Sequence, residues 1–161
     1  MGKKSTKTNK TIFQTSREEA GLTRENASEL LEFISSDRIE RIENEKTSPS
    51  PEEVLAMAKA YNKPNLCNMY CARLCPIGQE YVPEVEVKDL PLITLETLSL
   101  LNSVNKDQQR LIEIAADGKI TDDELADFYA IKEKLNKISL CIDALHLWVD
   151  TSIASGEMNS L

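Results

Sequence analysis

From Phe128 to Val149 the apolar residues recur at alternating steps of three and four: Phe128, Ile131, Leu135, Ile138, Ile142, Leu145 and Val149. That rhythm keeps one face of an α-helix apolar and does not fit the two-residue period of a strand. Upstream, Leu101, Val104, Leu111 and Ala115 carry the same period until Asp117-Gly118 stops it, and Thr121 with Glu124 forms a capping box for the helix that follows. Two long helices with a tight turn between them make an antiparallel hairpin. The only strand-like alternation, Tyr81 to Val87, contains Pro83 and reads as an edge or linker. With five glycines in 161 residues, the fold expected is all-α. The seam holds for three heptads, longer than one hairpin partner covers, and predicts a homodimer through the C-terminal helices.

Shorter helices are expected nearer the N-terminus. Ile12 to Ala20 ends at Gly21, and Thr23 caps Arg24 to Leu31. Ser35 or Ser36 caps a third helix running to about Asn44, and Ser50 with Glu53 boxes the start of Pro51 to Tyr61. The chain therefore divides into a basic arm (1–11), a helical bundle (12–64), a connector rich in cysteine and proline (65–91) and the helical hairpin (92–161).

Charge is distributed unevenly. Of 19 Lys/Arg and 27 Asp/Glu, residues 1–64 hold eleven of each, leaving eight against sixteen for 65–161. Lys3, Lys4, Lys7 and Lys10 make the arm purely basic. A polyanion can approach the neutral half and its arm but is repelled by the acidic half, so nucleic-acid work is expected in the first 64 residues. No run nears the ~18 apolar residues of a membrane helix. The lysines at the start have no apolar segment behind them, so no secretory signal is read there, and a cytoplasmic location is expected.

The segment from Ser16 to Tyr61 resembles the XRE family of bacterial and phage repressors, the lambda-repressor/Cro-like helix-turn-helix proteins. The likeness rests on R-E-x-A-G-L-T at Arg17–Thr23, I-S-x-x-x-I-x-x-I-E-N at Ile34–Asn44, and P-S-P-E-E-V-L-x-M-A-K-A from Pro49. Within it, Glu32-Phe33 replaces a single turn glycine, Glu45 stands at a second glycine position, and Asp37 and Glu40 are acidic. The resemblance implies a lambda-repressor-like domain of four or five helices that binds double-stranded DNA. Arg24 would touch phosphate or a base. Ser36, Asp37, Arg38 and Arg41 would face the major groove, with Asn44, Lys46 and Thr47 nearer the backbone. Leu22, Ala27, Leu31, Ile34, Ile39, Ile42, Val54, Leu55 and Ala58 would form the core.

Cys67, Cys71 and Cys75 follow at four-residue steps, on one face if helical. Zinc or an iron–sulfur cluster is the alternative such thiols offer, but Cys141 and His146, the remaining candidate ligands, lie far along the chain. Buried thiols that tie the connector to a neighbouring domain are the reading adopted, with no cofactor required. Residues 113–124 imitate half of a calcium loop, yet Ala115 occupies a ligand position, and Gly118 and Thr121 serve equally as helix stop and cap. No phosphate loop, nucleophile elbow or paired catalytic set appears, so no enzyme is expected. The function expected is a DNA-binding transcriptional regulator, a repressor acting by operator occupancy as a dimer. The alternatives are an adaptor that keeps the fold without binding DNA and a metal- or redox-responsive regulator.

Overall fold

The computed structural model describes residues 10–158. Of the expected arm only Lys10 and Thr11 are described; Lys3, Lys4 and Lys7 lie outside the described residues. Among those described, every regular element is helical: α1 (Ile12–Glu19), α2 (Arg24–Leu31), α3 (Ser36–Glu43), α4 (Pro51–Ala60), α5 (Asn65–Arg73), α6 (Pro76–Tyr81), α7 (Leu90–Ala115) and α8 (Leu125–Ala154). The starts are chemically specified. Thr11, Thr23, Ser35, Ser50 and Asp89 each accept a hydrogen bond from a backbone amide in the first turn, and Ser50 with Glu53 completes a reciprocal capping box. Gly21 and Gly118, at φ +72° and +70°, supply the left-handed backbone after α1 and α7.

The chain gathers into two compact units. Among the described residues, those from Lys10 through Val85 and from Val149 through Met158 make one, and Glu86–Trp148 makes the other. The core of the first is built from Phe13, Ala27, Leu31, Ile34, Ile39, Ile42, Val54, Met57, Ala58, Tyr61 and Leu66. Each large aliphatic side chain there contributes on the order of 1.5–3 kcal/mol by leaving water. Two expected core residues differ. Leu22 is only half-buried and Leu55 is 50% exposed. On α4 the inward row is Val54, Met57, Ala58 and Tyr61, spaced as one helix face, and Leu55 is a third of a turn away from it.

The span read as a connector holds α5 and α6. Leu66 is fully buried, and Cys67 and Tyr70 pack partly against the same core. Gly78 of α6 lies so close to α5 that a Cβ there would fall 2.1 Å from the Cys71 carbonyl oxygen. Beyond α6 the chain is held on α5. The Asn68 amide donates to the Pro83 carbonyl at 3.0 Å and accepts from the Val85 amide at 2.8 Å, while Arg73 pairs with Glu84.

In the other unit α7 and α8 run antiparallel. Arg110 reaches Asp127 at 2.7 Å and Asp107 pairs with Lys134, so partners advance along α8 as they retreat along α7. The inward residues of α7 are Ile93, Leu100, Val104, Leu111 and Ile114, buried or half-buried. On α8, Ile131, Cys141, Ala144 and Leu147 are buried, whereas Leu135, Ile142 and Leu145 of the expected seam are 44%, 45% and 37% exposed. Ile131 of the expected seam is buried and Phe128, Ile138 and Val149 are half-buried, but toward the C-terminal end Cys141 and Ala144 take the inward places one residue, about 100° of helix, before Ile142 and Leu145. Small Cys141 and Ala144 face inward, and larger neighbours stand out. No helix among the described residues is long and apolar enough to cross a membrane.

Candidate nucleic-acid interface

Helices α2 and α3 are joined by three described turn residues and a serine cap. Ile39 and Ile42 anchor α3 to the core at 1% and 2% exposure, which turns Asp37, Glu40 and Arg41 outward, with Ser36 half-exposed beside them. Arg41 has no ion-pair partner among the described residues. Past the helix, the Glu45 amide donates to the Ile42 carbonyl and the Lys46 amide to the Arg41 carbonyl. Glu45 takes the left-handed position at φ +56°, the place a glycine ordinarily fills in this kind of helix end.

Arg24, Arg38 and Thr47, also expected to contact DNA, are tied to the protein itself. Arg24 donates through Nε to Glu43 at 2.9 Å and lies 3.9 Å from Glu40, bracing the start of α2 against α3. Arg38 grips Glu53 with two nitrogens, each at 2.8 Å, and donates to the Thr47 hydroxyl at 2.7 Å and the Ser48 carbonyl at 3.0 Å. It therefore fixes the α3–α4 loop rather than standing free on the outward face. The same bond holds the Glu53 carboxyl below the usual carboxylate range, against the opposing effect of burial. Asn44 is the C-cap of α3, half-buried, and Lys46 is exposed.

Arg17 and Glu43 were not singled out as site residues, yet both are buried behind the outward face. Arg17 lies one turn from Phe13 on the inward side of α1, and Glu43 beside Ile42 on that of α3. The available signal was an acidic residue next to Ile42 on the apolar side of α3; the inward side of α1 is itself mixed, with Gln14 and Ser16 buried beside Phe13. Burial and the nearby Glu43 carboxylate push the Tyr61 phenol up.

The three cysteines of α5 and its end are half-buried, and burial first, then the neighbouring Cys71, raises the Cys67 thiol. No group of three or more His, Cys, Asp or Glu side chains able to hold a metal ion occurs among the described residues. Cys141 is buried in the other unit, and His146 is exposed.

Residues 13–64 match the family model of a helix-turn-helix domain. No curated protein and no solved structure matches the chain.

Proposed function

We propose that this chain is a sequence-specific DNA-binding transcriptional regulator of the XRE type, a cytoplasmic repressor that occupies its operator as a homodimer. The observation that carries the reading is the match of residues 13–64 to a helix-turn-helix domain, in which α3 turns Ser36, Asp37, Glu40 and Arg41 outward. In this reading Arg41 reads a base edge, Lys46 and Asn44 meet the phosphate backbone, and Arg24 does so from the start of α2. Arg38 and Thr47 hold the loop beside them. The cysteines serve as packing, without a cofactor, and the domain acts by binding rather than catalysis.

Dimer formation is supported by the apolar residues that α7 and α8 leave in water: Leu95, Leu98 and Leu101 on one, Leu135, Ile142 and Leu145 on the other. A single small reading domain binds weakly, and two linked half-sites combine their binding free energies, so the affinity of the pair greatly exceeds that of either alone. Selection of binding sites from random duplex DNA by the full chain tests the reading, with light scattering for the dimer. An enriched motif with two-fold symmetry and a dimeric mass are expected. Failure to enrich any sequence would move the chain to the second reading, a protein-interaction module that retains the fold. That alternative is favoured by the negative charge of Asp37, Glu40 and Glu45 around Arg41.

A further inference from the structure

Just ahead of α3 the chain makes a turn to which a glutamate is poorly suited. Glu32 has φ +54° and ψ −47°, and across it the Phe33 amide donates to the Leu31 carbonyl. This is the left-handed γ-turn, a rare and strained form for any residue with a Cβ. Its effect is to separate two neighbours. Ile34 goes into the core at 1% exposure, and Phe33 is held out at 65%, with Leu30 one helical turn earlier also exposed at 59%.

Single exposed apolar side chains are ordinary on protein surfaces. Phe33 differs in its placement. It stands two residues before Ser35, the cap of α3, at the end of the recognition helix from which side chains enter a major groove. Its ring is not part of the core, so core packing does not offset the backbone strain that presents it. Strain of this kind persists where the surrounding structure enforces it and is concentrated at functional sites.

We propose that Phe33 is a further specificity-determining residue, whose ring lies against the 5-methyl group of a thymine at the edge of the base pairs met by Ser36 and Asp37. The thymine methyl is the apolar group that the major groove presents, and phenylalanine is among the side chains that read it. The inference rests on the DNA-binding reading of this domain and names part of what that site recognises.

The experiment starts from the site selected by the full-length chain. Each thymine in it is replaced in turn by deoxyuridine, which removes the methyl and leaves the hydrogen-bonding edge intact. Affinities are measured for the wild-type chain and for Phe33→Ala. One thymine per half-site should weaken wild-type binding about threefold to fivefold when its methyl is lost, the value of burying one such group. Phe33→Ala should bind both duplexes equally and melt at the wild-type temperature, because the ring is outside the core. The proposal is overturned if no thymine gives a loss confined to the wild-type chain. It is equally overturned if Phe33→Ala changes the oligomeric mass while leaving site preference intact, which would assign the ring to a protein contact. Enrichment of no sequence at all would instead remove the DNA-binding reading and this inference together.

Discussion

Arg17 and Glu43 form a two-pronged ion pair inside the helix-turn-helix unit, Nε to Oε1 at 2.5 Å and Nη2 to Oε2 at 3.0 Å, with 7% and 1% of their side chains exposed. Arg17 also donates to the Leu22 carbonyl at 2.6 Å, and Arg24 adds a bond to the same carboxylate. One acidic side chain on α3 thus fixes α1, the turn after it and the first residue of α2. The pitch of the outward face is set from behind it.

Removing one partner of such a pair strands the other charge in the interior. Glu43→Ala is expected to cost about 3–5 kcal/mol, whereas Arg17→Met combined with Glu43→Leu costs far less, since both desolvation penalties vanish together. Urea unfolding of the three proteins provides the comparison. Equal losses in the single and double variants would contradict the account.

Arg38 and Arg41 are three residues apart and should behave differently on DNA. Arg41→Ala is expected to relax base preference at one position, with a loss of about 1–3 kcal/mol on the selected site. Arg38→Ala frees Glu53, Thr47 and Ser48 instead, so it should lower stability by about 1–2 kcal/mol and weaken binding to all sequences alike. Competition binding with selected and scrambled duplexes, alongside thermal melts, distinguishes the two. A change of base preference in the Arg38 variant at full stability would reverse the assignment.

Acid should loosen this unit. Glu53 is held below the usual carboxylate range by Arg38, and Glu18 by its hydrogen bond from Lys10. Groups lowered on folding contribute stability that is present above their unfolded value, near pH 4, and disappears as pH falls through the folded one. Unfolding free energy should therefore decline as pH drops from about 5 toward 3, and Glu53→Gln should flatten part of that slope. Urea midpoints measured across the range test this, and an identical slope in the variant would count against Arg38 as the cause.

Gly78→Ala should be poorly tolerated. The added carbon would meet the Cys71 backbone, which cannot swing aside as a flexible side chain can. A loss of about 2–3 kcal/mol is expected, read as a lower melting temperature, while Gly21→Ala should cost less, from its positive φ alone, because the space around Gly21 is open. Equal effects at the two glycines would speak against the close approach of α5 and α6.

Much of the N-terminal unit was legible because its helices announce themselves locally. Thr23, Ser35 and Ser50 each cap the helix that the apolar spacing predicts. Helix α5 escaped notice because Pro64 precedes it with no side-chain cap, so its start carries no polar signature. The outward placing of Ser36, Asp37 and Arg41 was implied by the family resemblance, and the burial of Ile39 and Ile42 on the opposite side of α3 agrees with it. The engagement of Arg38 was not implied, since Glu53 is fifteen residues away and partner choice across a fold is not written in spacing. On α8 the period was right and, toward the C-terminal end, the angle was not. A broad apolar stripe fixes that a helix packs, whereas the opposing side chains of α7 decide which edge of the stripe is covered.

The chain leaves the first unit at Val85 and rejoins it at Val149, which gives Glu86–Trp148 the topology of a module inserted into a host. Inserted modules are exchangeable when both junctions fall in permissive backbone. Here the outgoing junction lies outside any regular element, but the incoming one lies within α8, a continuous helix from Leu125 to Ala154. Any replacement would have to end in a helix that continues into Val149–Ala154, where Ser152 is buried at 4%. Recombination between relatives of this chain would accordingly be free in sequence at the first crossing and held to helix-forming sequence at the second.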